Sequence, residues 1–161
     1  METYLAIASK RDVRDYAATP IAPDVRDRIL DAGRVSGSSR NTQKWEFVVV
    51  SGTAQERLAD AVYAPENVRT ATLVVAVVGE AFAFDVGRCA QNMMLAASAE
   101  GVGSCPNGIR DAGAAAEICG GDVRAAISFG YPAKPRRERS AAEWSAQADR
   151  KTLAELVREV D

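Results

Sequence analysis

Histidine is absent from all 161 residues. That removes Ser-His-Asp and Cys-His catalysis and every histidine-based zinc site. Cysteine is scarce: Cys89, Cys105 and Cys119 are odd in number and lack CxxC spacing. Three dispersed thiols cannot complete an all-cysteine zinc site, and they suit a reducing compartment. Long apolar runs are missing too, since the best, Leu73 to Val78, is far too short to cross a bilayer. Neither sign of charge dominates: 20 basic and 22 acidic residues leave a net charge of -2. Such a balance gives no field to attract nucleic acid or an anionic membrane. The opening METYLAIASKRDVRDY carries charge where a signal peptide needs its apolar stretch, so a cytoplasmic protein is expected. A catalyst built from this chain must use carboxylates or borrow its chemistry from an organic cofactor.

What is present reads as one domain over residues 1–161, ending in a helical tail over 140–161. A chain this long can bury roughly 70% of its unfolded surface. The spacing predicts a short helix from Tyr4 to Ser9 and a second one opened by Pro23, with Val25, Ile29, Ala32 and Val35 on its apolar face. A strand follows from Trp45 to Ser51, then a helix to about Val62 opened by a Thr53–Glu56 capping box. Ala71 to Gly79 is nearly all apolar, a strand buried on both faces. Asp85 to Glu100 is a central helix, apolar nearly all round and stopped by Gly101. Val102 to Arg110 reads as a loop, followed by a short helix ending at Gly120-Gly121 and a strand from Val123 to Phe129. Capping boxes at Ser140–Glu143 and Thr152–Glu155 open the tail helices. This order gives an α+β fold.

Two features stand out chemically. Ser36 to Lys44 contains no apolar side chain, yet it abuts Trp45 and an apolar strand. Basic residues gather at Lys10, Arg11 and Arg14 and again at Lys134, Arg136, Arg137 and Arg139. Each cluster alone is compatible with a solvated charged stretch. Together with the serines they suit a small phosphorylated ligand, because guanidinium forks and hydroxyls both donate to phosphate oxygens. Asn41 and Gln43 supply donors and acceptors for a polyol or a uracil-like ring edge. GVGSCPNG, Gly101 to Gly108, is no dinucleotide fingerprint: Pro106 takes the third glycine position and a helical pattern precedes it. It does allow a tight backbone whose N–H groups approach a ligand.

KRDVRDY resembles the [RK]-R-S-x-[RK]-x-[FY] opening of the FMN-dependent nitroreductase family, and SSRNTQKW resembles its S-S-x-N-x-Q-P-W loop. CAQNMMLAASAEGVGSC is similar to the family's central helix, and ISFGYPAKPRRER to its closing strand and basic residues. The four motifs occur in the expected order between about Tyr4 and Trp144. The resemblance implies a central, mainly antiparallel sheet flanked by helices, in a homodimer with FMN at the interface. It implies hydride transfer from NAD(P)H through flavin N5 to a nitroaromatic, a quinone or a similar electrophile, with no catalytic side chain and no metal. By position, Lys10, Arg11 and Arg14 are expected at the phosphate, ribityl chain or pyrimidine side, with Arg14 as electrostatic support. Ser38, Ser39 and Asn41 are expected to reach the cofactor from the second subunit, with Gln43 supporting their loop. Pro106, Asn107 and Gly108 match the loop near N5, and Arg137 and Arg139 the phosphate. Asn67 and Arg69 are candidates for the pyrimidine edge. Two alternatives stay open: a flavin-binding protein with little turnover, and another reaction on the same fold, such as dehalogenation or use of a deazaflavin donor. The chain departs from the pattern at Asp12, where serine is usual, at Gly37 and Lys44, where prolines are usual, and in a shortened stretch between Val50 and Asp85.

Overall fold

The structure, a computed structural model, describes residues 2–134 and 137–160. Four strands form one antiparallel sheet: β1 (Glu46–Val50), β2 (Leu73–Val78), β3 (Gly103–Asn107) and β4 (Val123–Gly130), in the order β1-β2-β4-β3. The helices are α1 (Thr3–Ser9), α2 (Pro23–Arg34), α3 (Gly52–Asp60), α4 (Pro65–Arg69), α5 (Ala83–Ala99), α6 (Ala112–Cys119), α7 (Ala141–Gln147) and α8 (Leu153–Leu156). The expected α+β class with a mainly antiparallel sheet therefore holds. So do the first-turn Pro23, the glycine cap at Gly120 and both capping boxes in the tail.

The apolar run becomes β2 because it lies between β1 and β4 and all six of its residues are buried. Its alternation builds two cores. Leu73, Val75 and Val77 pack among residues of α2 and α5, including Ile29, Cys89 and Met93, whereas Val74, Ala76 and Val78 pack among residues of α3, α4 and α6, including Leu58, Val68 and Ala115. Each fully buried valine contributes about 1.5 kcal/mol or more through burial. Met93 and Met94 are packing residues of the first core, and Trp45 packs at its margin.

Three elements differ from expectation. The stretch expected as a loop from Val102 contains β3, an edge strand that tolerates Pro106 because an edge position needs no second set of ladder donors. Pro65 opens α4, a helix the sequence reading left out. The Thr53–Glu56 capping box does not form: α3 begins at Gly52, whose φ of +56° turns the chain into the helix early, and its N-cap Ser51 makes no side-chain cap bond. The box residues are used elsewhere. The Gln55 amide donates to the carbonyls of Val68 and Ala71, and the Glu56 carboxylate accepts from Arg69.

Residues 10–17 lie across the β3 side of the sheet. The Val13 N–H donates to the Ser104 carbonyl at 3.0 Å, and the Ala17 N–H to the Tyr131 carbonyl at 2.8 Å. Two glycines allow this approach. Gly103 and Gly130 are paired across β3 and β4, and a Cβ on them would sit 2.7 Å from Val13 Cβ and 2.8 Å from Tyr16 Cδ1, respectively. Tyr16 is thereby buried, with its hydroxyl 3.0 Å from Ser128 Oγ. At the far end of the chain, α7 packs against α1, and Leu153, Leu156, Val157 and Val160 are exposed. Among the described residues, no helix is long and apolar enough to cross a membrane.

Candidate functional site

The site candidates fall into three groups. The first lies where residues 10–14 run beside β3. Lys10 is the residue that ends α1, and its Nζ donates to Asp12 Oδ1 at 2.6 Å. Arg14 Nη2 lies 3.8 Å from the other oxygen of that carboxylate, and its side chain is 65% exposed. Beneath them sits the Cys105 thiol of β3. Burial pushes it above its ordinary range, the Asp12 charge adds to this, and Arg14 and Lys10 oppose it. Burial likewise pushes the Tyr16 phenol up to about 12, against the opposing bond from Ser128. Both groups keep their protons near neutrality, so this part of the site offers cations and backbone rather than a general base.

Farther along β3, Pro106 is exposed and Asn107 is buried. Asn107 turns its amide inward, where Nδ2 donates to the Cys105 carbonyl at 3.0 Å and to Ser128 Oγ at 3.2 Å. Among the described residues its Oδ1 is buried without a partner. The Gly108 carbonyl accepts from the Tyr63 N–H at 3.0 Å. Asn67 reaches the same place from α4, with Nδ2 3.7 Å from Cys105 Sγ. Arg69 does not join it, since Glu56, Asp60 and Glu66 engage its guanidinium on the opposite side of α4.

The second group surrounds a cavity of about 580 Å³ lined by Ser9, Ser98, Gly103, Arg137, Arg139 and Trp144, with Lys134 at its wall. The second basic segment walls this cavity together with Glu138, and the first reaches it through Arg11, which bonds the Trp144 carbonyl. Ser98 Oγ, on α5, is buried without a partner among the described residues. Arg136 of the same basic run lies outside the described residues. Arg11 is beside this cavity but its fork is already used. Nη1 donates to the carbonyls of Ala8 and Lys10 at 2.7 and 2.8 Å, and Nη2 to the Trp144 carbonyl at 2.8 Å.

The third group is the polar loop, closed on itself by a single 3-10 turn, Ser39–Asn41. Arg40, Asn41 and Gln43 all have φ near +50°, a conformation non-glycine residues rarely adopt. Hydrogen bonds hold it there. The Gln43 N–H donates to Ser38 Oγ at 2.9 Å, Gln43 Nε2 donates to Asn41 Oδ1 at 3.1 Å, and the Ser39 N–H donates to the buried Asp85 carboxylate at 2.9 Å. Gly37, expected as a proline, is covered by the Arg88 guanidinium, only 2.5 Å from where a Cβ would stand. Within one chain, no hydrogen bond or ion pair among the described residues joins this loop to either of the other groups.

Sequence reasoning singled out the cations but passed over Ser98, Trp144 and Ser9. Ser98 carries no local signal, being one small residue in an alanine-rich helix, whereas Trp144 lies beyond the basic run and directly follows a capping box, Ser140–Glu143, that could have drawn attention to it.

The Nitroreductase family profile matches residues 7–81 and 76–131. A 4-nitrobenzoate reductase of Pseudomonas putida is 36% identical over 53 residues, which is 33% of this chain and only 23% of that protein's length. The chain also superposes on a nitroreductase in complex with FMN from Desulfovibrio desulfuricans, with a TM-score of 0.83 and 25% identity over 100% of this chain and 98% of that one. An NADPH:FMN oxidoreductase from Vibrio harveyi complexed with NAD+ superposes with a TM-score of 0.82 and 22% identity, over 97% of this chain and 76% of that one.

Proposed function

The chain belongs to the nitroreductase family, and from that premise we propose that it is an FMN-dependent oxidoreductase that takes hydride from NAD(P)H and passes it to a nitroaromatic, a quinone or a similar electrophile. The observation that carries this reading is a cavity of about 580 Å³ walled by Lys134, Arg137 and Arg139 and reaching Gly103 of β3, the strand whose Ser104 bridges Asp12 between the cations Lys10 and Arg14.

The donor set fits a phosphorylated flavin. Lys134, Arg137 and Arg139 provide cationic donors, and the unpartnered Ser98 Oγ a neutral one, in a cavity of about 580 Å³. Lys10 and Arg14 continue the positive charge along β3 toward Pro106, Asn107 and Gly108. Asn107 turns its side chain inward, so its contribution at this edge is backbone. When bound, FMN supplies the hydride-carrying centre. The exposed Arg14 guanidinium would favour negative charge on the reduced form of a group bound beside it. With the Cys105 and Tyr16 protons held in place, protons come from solvent.

We infer a homodimer in which Ser38, Ser39 and Asn41 complete the site of the other subunit, with Gln43 bracing them. Their loop is built to a fixed shape, yet among the described residues no hydrogen bond or ion pair ties it to a site group of its own chain. Three free, buried thiols accord with the cytoplasm as its location.

Reconstitution with FMN, followed by stopped-flow reduction with NADH and NADPH and reoxidation by 4-nitrobenzoate or a quinone, tests the reading. A bound flavin reduced by one donor and reoxidised by the acceptor is expected. Failure to bind FMN would overturn the reading, and a bound flavin that no nicotinamide reduces would leave a binding protein. The shared site is tested by mixing Lys10→Ala/Arg14→Ala subunits with Ser38→Ala/Ser39→Ala subunits, each unable to hold flavin alone. Random pairing should restore about one quarter of the sites. No restoration in mixed dimers would place both groups in one subunit's site.

A further inference from the structure

Resting on the flavin reading above, we propose that Arg11 is not a phosphate ligand but a positioning residue. It clasps α7 to α1 and, through Trp144, holds Arg139 in the anion-binding wall.

The geometry assigns Arg11 this place. The last carbonyls of a helix have no partner within it, and α1 ends at Ser9 with Lys10 as its cap. Arg11 Nη1 covers two carbonyls at that end, those of Ala8 and Lys10, at 2.7 and 2.8 Å. The positive charge also suits the negative end of the helix dipole. The other arm reaches 133 positions along the sequence to the Trp144 carbonyl, at 2.8 Å. A planar fork can meet three carbonyls at once, whereas an ammonium on a flexible stem cannot hold that geometry.

The ring of Trp144 completes the clasp. Arg11 Cζ lies 5.5 Å from the ring centroid and Arg139 Cζ 5.2 Å, so both guanidinium groups make cation–π contacts with one indole. Trp144 and Arg139 both line the cavity, while the polar atoms of Arg11 are turned to carbonyls. Arg11 therefore acts on the cavity through Trp144 and the end of α1 rather than as a donor to its contents. Loosening the clasp frees Arg139 from its wall position and raises the entropic cost of bringing it to a phosphate. The phosphate end of the ligand should feel this, and the ring end should not.

The test compares Arg11→Lys, Arg11→Ala, Trp144→Leu and the Arg11→Lys/Trp144→Leu pair, titrated with FMN and with riboflavin, which lacks the phosphate. Arg11→Lys and Arg11→Ala should each weaken FMN binding about tenfold and leave riboflavin binding unchanged. The double variant should be no weaker than the weaker single one, as for two parts of one clasp. Full FMN affinity in Arg11→Lys with loss in Arg11→Ala would mark a direct charge contact and overturn the proposal. Equal losses for FMN and riboflavin, or additive losses in the double variant, would overturn it as well. Hydrogen exchange of the α7 amides in the flavin-free protein reads the clasp separately from the flavin reading. Arg11→Lys should speed exchange there, and unchanged exchange would refute the clasp even if FMN binds as proposed.

Discussion

Lys10 Nζ lies 2.6 Å from Asp12 Oδ1, and the second oxygen of that carboxylate faces Arg14 at 3.8 Å. One acidic side chain thus shares both cations of the first site group, at the position where the family resemblance leads one to expect serine. An anionic ligand must compete with Asp12 for them. Asp12→Ser should tighten FMN about three- to tenfold at low ionic strength, with the gain shrinking as salt rises, since partly exposed pairs are weak and screened. Flavin-fluorescence titrations at two salt concentrations measure this. Unchanged affinity at low salt would show that the carboxylate does not compete.

Arg14 is more exposed than Lys10, and its guanidinium lies a loose 3.8 Å from Asp12. Arg14→Ala should weaken FMN and lower the potential of the bound flavin by about 30 mV, the equivalent of about 1.4 kcal/mol for a two-electron couple. Redox titration against a dye of known potential gives the value. An unshifted potential would remove Arg14 from its supporting role.

Tyr16 links pH to stability. Its phenol is pushed up from 10.0 to about 12 by burial. Below about pH 10 it is neutral in folded and unfolded chains alike, and its contribution is fully present. Between about pH 10 and pH 12 the unfolded chain releases the proton while the folded one keeps it, so roughly 2 to 3 kcal/mol of stability is lost. Urea midpoints across this range should fall in the native protein. Tyr16→Phe should start about 1 kcal/mol lower at pH 8, having lost the hydroxyl bond, and then fall less steeply. Parallel pH curves for the two proteins would contradict the assignment.

Gly103 leaves room for Val13, whose Cβ would stand 2.7 Å from an added methyl. Gly103→Ala should cost about 1 to 3 kcal/mol through overpacking and lift residues 10–17 from β3, with FMN binding weakened in step. Adding Val13→Ala should return most of that loss, a coupling that denaturation of the four proteins in the cycle would reveal. Independent, additive effects would mean that the segment does not rest on Gly103.

The residues that were legible beforehand were those whose role is carried by composition. A run of six apolar residues, four of them valine, favours an interior strand, and β2 is that strand. Clustered cations announced an anion site. β3 was illegible because Gly-Ser-Cys-Pro-Asn has neither alternation nor branched side chains, and its extended form comes from pairing with β4 on one side and Val13 on the other. Arg11 looked like its neighbours for a similar reason. Its partners are backbone carbonyls, two nearby and one 133 positions away, and carbonyls leave no mark in a sequence. Thr53 and Glu56 satisfy a local capping pattern, yet Glu56 accepts from Arg69 of α4 instead, and Gln55 between them donates to the carbonyls of Val68 and Ala71.

The order of strands also sets an order of events in assembly. β2 neighbours β4, some fifty positions later in the chain, so the centre of the sheet cannot close while the ribosome still holds the second half. Residues 10–17 wait longer still. They precede all four strands in the chain, but their seat requires Gly103, Gly130 and Tyr131 to have emerged and paired. The cations of this segment therefore stay in solvent until β3 and β4 have been made, and they gain affinity for a ligand only once the rest of the sheet exists.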